Sequence, residues 1–178
     1  SELLYGCQGY QIKWNATGVS NNWTIDYSLN SGAIWTSVAT NLAISPVSGV
    51  YTYNWTVPMV SSPSVLVRVR DYGDTLKQDV SNAVFTVQLP ITITTPNGGE
   101  VWQGLSQQTI AWVPAGTSGV FNLSYSINNG SSWNTIANNI SANNYQWTVP
   151  NNPSTQSLVR VADATTSCQV DISNAVFE

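Results

Sequence analysis

The chain has 178 residues, 42% of them hydrophobic and only 8% charged, with five Lys and Arg against nine Asp and Glu, no His, and a net charge of −4. A charged fraction so far below the usual quarter or so leaves solubility to Ser, Thr and Asn, and so few cations exclude the basic footprint that nucleic acid or an anionic membrane surface requires. No apolar run approaches the roughly 18 residues of a membrane span, and no secretory leader is visible, so a secreted protein would carry this sequence in mature or excised form.

In chain order, strands are predicted near 10–15, 23–29, 34–40, 50–57, 64–71 and 78–88, then 91–95, 108–113, 120–127, 133–137, 144–149, 157–163 and 170–177. The period of two is the signal. "YTYNWTV" sets Tyr51, Tyr53, Trp55 and Val57 against Thr52, Asn54 and Thr56, and "WTIDYSL" alternates Trp23, Ile25, Tyr27 and Leu29 with polar residues. Turn signals such as "NSG" at 30–32 and "NNG" at 128–130 separate the runs. No window keeps a helical period.

The elements repeat. "DVSNAVF" at 79–85 returns as "DISNAVF" at 171–177, and with the same shift of 92 "YNWTVP" falls on "YQWTVP" and "LVRVRD" on "LVRVAD". Upstream the shift is 98, where "IKW" meets "IAW" and "IDYSLNSGAIW" meets "LSYSINNGSSW". The first copy therefore has six extra residues near "SPVSGV" (45–50), a length that a surface loop tolerates cheaply. Two domains are expected, 1–89 and 90–178, each an all-β antiparallel sandwich of immunoglobulin or fibronectin type III kind. Trp14 and Trp112 should plug the cores, and Arg68 and Arg160 should lay their stems over the outer faces of their sheets. With Pro90 alone between "FTVQL" and "ITITTP", the pair should form a stiff, elongated rod.

The stretch "TTPNGGEVWQG" (94–104) with "QTIAW" (108–112), followed by "YSINNGSSW", "WTVP", "LVRVAD" and "DISNAVF", resembles a repeat of large secreted and surface proteins of bacteria. That repeat opens with Pro-Asn-Gly-Gly-Glu, then Trp, a Gly and an Ile-x-Trp strand. A related domain occurs in fungal serine-threonine-rich, lipid-anchored cell-wall proteins. The resemblance covers the second copy entirely and the first from Glu2 onward, where the opening strand and the Asn-Gly-Gly turn are missing. It implies an extracellular β-sandwich used as a spacer, stalk or adhesive module, often beside a catalytic domain and a sorting signal, and it implies no reaction.

Cys7 aligns with Leu105 and Cys168 with Leu76. The reciprocal exchange suggests that the two positions are neighbours in the fold, which agrees with the cysteine pair that many repeats of the resembled family carry there. Each domain then pairs Cys with Leu, and both thiols are expected buried, reduced and inert, with an interdomain disulfide as the alternative.

Candidate sites are sparse. Without His the commonest general base is missing, and neither Cys has a partner to activate it; no catalytic residue and no cofactor is expected. Asp71 with Asp163 and Asp79 with Asp171 recur in both copies, as hydrogen-bond acceptors of turns and strand ends do. Asp71, Asp74 and Asp79 in "DYGDTLKQD" form a weak calcium candidate, loop solvation being the stronger reading. Eight Trp and eight Tyr invite a sugar-stacking reading, but Trp14, Tyr27, Trp55, Trp112, Tyr125 and Trp147 fit the core. Trp35, Trp133, Tyr72 and Tyr5 are left for a surface platform. Six sequons stand at Asn15, Asn22, Asn54, Asn122, Asn129 and Asn139, and "DTL" at 74–76 resembles a bacterial O-glycosylation signal.

These residues point to a non-catalytic extracellular structural or adhesive module whose partners are neighbouring domains or copies. The alternatives are a carbohydrate-binding module that targets polysaccharide for an attached enzyme, and a subunit of a surface filament. The missing opening strand of the first copy calls for upstream sequence or a strand from another subunit.

Overall fold

Fifteen strands and no helix make up the regular structure of residues 2–178, the part of the chain that the computed structural model of the protein describes. The chain divides between Gln88 and Leu89 into two compact units.

The first unit contains β1 (Leu3–Tyr5), β2 (Gly9–Trp14), β3 (Asn22–Ser28), β4 (Thr36–Ala43), β5 (Tyr51–Thr56), β6 (Ser62–Asp71), β7 (Gln78–Val80) and β8 (Phe85–Gln88). Its larger sheet runs β1-β8-β6-β3-β4, with β7 also on β6, and β2 with β5 forms the smaller one. The two sheets share one core, in which Ile12, Trp14, Tyr51 and Trp55 of the smaller sheet face Trp23, Ile25, Val65, Val69 and Phe85 of the larger. Trp14 stacks on Tyr51 at 5.6 Å between ring centroids and meets Trp23 edge-on at 5.1 Å, so the alternation read from "YTYNWTV" is spent on aromatic packing.

The second unit contains β9 (Ile91–Thr95), β10 (Gln107–Pro114), β11 (Phe121–Ser126), β12 (Asn134–Ile140), β13 (Asn144–Thr148), β14 (Leu158–Asp163) and β15 (Val170–Ile172). Sheets β13-β10-β9 and β12-β11-β14-β15 enclose a core of Ile91, Ile93, Ile110, Trp112, Phe121, Leu123, Trp147, Val159, Val161 and Phe177. The repeat extends to irregularities: the register of β3 against β4 slips at Trp23–Ile25–Asp26, and that of β11 against β12 slips at Phe121–Leu123–Ser124. Each slip sits opposite an Asn in left-handed conformation, Asn41 at φ 52 and Asn139 at φ 58, a region that Asn tolerates better than most residues.

Two predicted strands differ. The run 78–88 is broken by a bend at Ser81–Val84 into β7 and β8, and of 170–177 only β15 stays regular before an isolated bridge of Phe177 to Ser157. The cause is the repeated heptapeptide itself. Ser81 Oγ accepts the Val67 N–H at 3.1 Å, and Ser173 Oγ accepts the Val159 N–H at 3.0 Å, so a side chain replaces the ladder at the point where the strand bends away. Beyond the bend Phe85 enters one core and Phe177 the other, which is why the seven letters recur. The strand β1, not expected, pairs in parallel with β8, Leu3 against Thr86 and Tyr5 against Gln88.

The expectation of free thiols is overturned: Cys7 and Cys168 are both disulfide-bonded. Its premise fails as well, since the two repeat positions are not neighbours. In the first unit Cys7 sits where Gly6 N–H bonds Gln88 O and its own N–H bonds Val57 O, whereas Leu76 sits on the β6–β7 hairpin, where Lys77 Nζ reaches Gly18 O. The length of β6 lies between those ends, about 30 Å at ~3.3 Å per residue. Leu76 and Leu105 are 91% and 70% exposed, so neither leucine replaces a buried sulfur.

Candidate functional site

The outer face of each larger sheet begins with a side-chain-built turn. Ser28 Oγ donates to Asn30 Oδ1 at 2.9 Å and accepts the Gly32 N–H at 2.9 Å, while Asn30 Oδ1 accepts the Ile34 N–H at 2.8 Å. Ser126 and Asn128 repeat the arrangement at 2.8 to 2.9 Å toward Gly130 and Ser132. These turns fold Trp35 and Trp133 back over the sheet. The Trp35 ring has the guanidinium of Arg68 4.3 Å from its centroid, and a side chain at Gly32, which sits at φ +89, would lie 3.4 Å from it. Arg160 stands 4.5 Å from the Trp133 centroid, with Gly130 in the place of Gly32. One face of each ring is thus taken up by an arginine, and both rings remain half-buried.

Within the first unit the platform candidates Tyr5 and Tyr72 lie at opposite ends of β6. Trp35 and Trp133 belong to different units. In the first unit Tyr5 pairs with Gln88 beside the start of β6, and Tyr72, 48% exposed, follows the last residue of β6.

The recurring carboxylates bind their own backbone. Asp71 accepts the Ser20 hydroxyl and N–H, both at 2.6 Å, and the N–H of Gly73 and Asp74 at 2.8 and 3.2 Å. The Ser20 hydroxyl first, then these N–H groups, hold its pKa below the ordinary carboxylate value. Asp163 accepts from Ser118 N–H, from the N–H and hydroxyl of Thr165, and from Thr166 N–H, at 2.7 to 2.9 Å. Burial alone would raise its pKa, but the hydrogen bonds from Ser118 and Thr165 overcome this and bring it to about 2. Glu100 follows the same logic: burial opposes ionisation, and the N–H groups of Asn97, Glu100 itself and Gly98 prevail and lower it.

All three are acceptors that stay ionised at neutral pH, the reverse of what a general acid needs. For the calcium candidate, Asp71 thus directs its oxygens at hydrogen-bond donors, Asp74 faces Lys77 Nζ at 3.5 Å, and Asp79 is exposed. Among the described residues no group of three His, Cys, Asp or Glu is placed to hold a metal ion.

Of the sequons, Asn15, Asn54, Asn129 and Asn139 are exposed, while Asn22 and Asn122 are half-buried. The hydroxyls that complete the last two, Thr24 and Ser124, are buried, and Asn122 Oδ1 accepts the Asn139 N–H at 3.0 Å.

An ionic cluster went unread in the sequence. Asp26, 3% exposed, receives Nη2 of both Arg68 and Arg70 at 2.9 Å, with both Nε groups at 3.1 Å. In the second unit Ser124 and Ala162 stand in place of Asp26 and Arg70, and Arg160 Nε donates to Ser124 Oγ at 3.0 Å. The available signal was two Arg at i and i+2 on a strand whose neighbour carries an Asp on the same face.

A concavity of ≈ 670 Å³ in the first unit lies between β2 and the bend at Ser81–Val84. At its rim Tyr10 OH donates to Glu2 Oε2 at 3.1 Å, and burial first, then this carboxylate, raises the phenol's pKa.

No family model matches the chain, nor does any curated protein sequence. Among solved structures it is similar to the fibronectin(III)-like modules of Clostridium thermocellum CbhA, with 13% identity, 99% of this chain and 87% of that one covered, and a TM-score of 0.34. It is also similar to the teleost fish polymeric Ig receptor ectodomain, with 10% identity, 98% and 94% covered, and a TM-score of 0.33. The titin domains z1z2, solved in complex with telethonin, match at 11% identity over 99% and 90% of the chains with a TM-score of 0.30. The architecture described above rests on this chain's own strands and cores.

Proposed function

We propose that the chain is a non-catalytic extracellular module, two immunoglobulin- or fibronectin-III-like sandwiches in tandem that serve as a spacer, stalk or adhesive segment of a larger assembly. One observation carries the reading: the polar and aromatic side chains that recur in both units are consumed in holding their own turns. Asp71 and Asp163 clamp the hairpin tips, Ser28 with Asn30 and Ser126 with Asn128 build the turns, and Trp35 and Trp133 each pack one ring face against an arginine. Repetition here preserves a scaffold rather than a reacting site. Disulfide-bonded cysteines support an oxidising compartment, where such bonds persist.

Membership of the bacterial Pro-Asn-Gly-Gly-Glu repeat family belongs to the same proposal, and the turn has a physical reason for its letters. Glu100 accepts the N–H groups of Asn97 and Gly98 at 2.7 and 2.8 Å. Gly98 sits at φ +125, and a side chain there would approach Ala175 Cβ to 2.5 Å.

The test is retention on a panel of insoluble and soluble polysaccharides, with the intact chain and with Trp35→Ala and Trp133→Ala. No retention is expected. Retention that either substitution abolishes would replace this reading with that of a carbohydrate-binding module.

A further inference from the structure

Residues 89–178 hold a single Lys or Arg, Arg160, against Glu100, Asp163, Asp171 and Glu178. With Val159 and Val161 buried in the core, Arg160 stands on the outer face of β14, in one rung with Ser124 of β11 and Ile172 of β15. The next rung sets Ala162 between Asn122 and Val170. The Trp133 ring on one side and the Ser124 hydroxyl on Nε fix the guanidinium in place. Its Nη groups have no acceptor among the described residues.

Beside that guanidinium lies a hollow of ≈ 550 Å³, a size that suits a small ligand group. Ala162 opens it, because the first unit has Arg70 at this position, with its guanidinium closed on Asp26. Val170 and Ile172 form an apolar wall on one side of Ala162, and Asn122 stands on the other. Asn122 Oδ1 is fixed by the Asn139 N–H at 3.0 Å, which leaves the Nδ2 donors without an acceptor among the described residues. Asp163 at the rim is itself an ionised acid, but four donors already hold its oxygens. Three residues of β14, ~10 Å, separate it from Arg160, about one Debye length in physiological salt.

We propose that this hollow is a binding site for a carboxylate side chain of a partner protein, taken by the Nη groups of Arg160 with the Asn122 amide as second donor. The first unit shows what an arginine at this position takes. There Arg68 donates Nε and Nη2 to Asp26 Oδ2 at 3.1 and 2.9 Å, whereas the second unit has Ser124 in the place of that acid and leaves the room in front of Arg160 open. Charge-assisted bonds of this kind are the strong ones, and a guanidinium already held by Trp133 and Ser124 loses little freedom on forming them. The apolar wall of Val170 and Ile172 suits the methylene stem of a Glu better than the hydroxylated ring of a sugar acid, which selects a protein partner. The proposal deepens the adhesive reading of the function by naming one contact. Its failure would leave the spacer reading standing, and polysaccharide retention lost in Trp35→Ala would overturn that reading without touching the hollow.

The experiment titrates the intact, isotopically labelled chain with N-acetyl-glutamate N-methylamide and with its glutamine analogue. Saturable shifts of the Arg160 side chain and of the Ala162, Val170 and Ile172 amides are expected at millimolar glutamate probe, with about tenfold weaker binding of the uncharged one. Arg160→Gln should abolish the shifts while the rest of the spectrum stays in place. Ser124→Asp with Ala162→Arg rebuilds the cluster of the first unit in the second, so it keeps a folded arrangement the chain already uses, and it should weaken binding by about the same factor. Asp26→Ser with Arg70→Ala should open a second site, seen as new shifts around Arg68. Absence of saturable shifts at millimolar probe, equal binding of the two probes, full binding by the Ser124→Asp, Ala162→Arg variant, or tighter binding of glucuronate than of the glutamate probe, which would make the ligand a sugar acid, would each overturn the proposal.

Discussion

Arg160 Cζ lies 4.5 Å from the centroid of the Trp133 ring, and one repeat earlier Arg68 holds the same position over Trp35 at 4.3 Å. The guanidinium covers one ring face while its stem shields the sheet beneath. Among the described residues Arg160 has no acidic partner in the way that Arg68 has Asp26, so its pair is the cleaner one to measure. A double-mutant cycle of Trp133→Ala and Arg160→Ala by urea unfolding should give a coupling of about 0.5–1 kcal/mol. A coupling of zero would show that the two side chains pack independently.

The ionic cluster of the first unit is predicted to be fragile to loss of its acid and tolerant of wholesale replacement. Asp26→Ala strands two arginines whose side chains are only 18% and 26% exposed. Because that residual exposure softens the penalty, a cost of about 3 kcal/mol is expected, the low end for breaking a buried pair. Asp26→Ser with Arg70→Ala installs the Ser124, Arg160 and Ala162 arrangement of the second unit and should recover most of that loss. A double variant as unstable as Asp26→Ala would contradict the equivalence of the two units here.

Asp163 sets a pH window. Its folded pKa of about 2 lies below the ~3.9 of an unfolded Asp, so its stabilisation is complete above about pH 4 and is lost as pH falls toward 2. Asp71 and Glu100, both lowered, act in the same direction. Melting curves from pH 7 to 2 should therefore fall below pH 4, and Asp163→Asn should be less stable at pH 7 with a shallower acid slope. Parallel curves for the two proteins would count against the assignment.

Thiol titration in denaturant should detect no reactive group before reduction and two after it, since neither cysteine is free. Reduction should also lower the melting temperature, because it releases a covalent restraint on the unfolded chain. Two titratable thiols in the unreduced, oxygen-exposed protein would refute the bonded state.

Most strands were legible because alternation survives wherever one face is buried, as in Tyr51–Thr56 and Asn22–Ser28. The strand β1 was not, since three residues, Leu3–Tyr5, are too few to show a period and owe their conformation to β8. The bend inside "DVSNAVF" was hidden because Ser81 acts through a bond to Val67, fourteen residues away, which no local pattern reveals. Asp26 escaped notice because a charge on the outward face of a strand reads as solvated, whereas two arginines close over it and leave it 3% exposed. The cysteines misled because alignment of two copies reports equivalence between repeats, not proximity within one.

The parallel pairing of β1 with β8 has a mechanical consequence for the first unit. Traction on the residues ahead of Leu3 and beyond Gln88 pulls the two strands in opposite directions along their common axis. The Thr86 N–H to Glu2 O and Gly6 N–H to Gln88 O bonds, at 3.0 and 2.9 Å, lie at the two ends of this ladder and are then loaded together in shear rather than opened one after another. In the second unit Gly99 N–H to Val176 O and Glu178 N–H to Glu100 O, at 3.0 and 2.9 Å, repeat the clasp. The first unit thus resists extension most strongly along the line that joins the ends of these strands, and should yield abruptly when the clasp gives way.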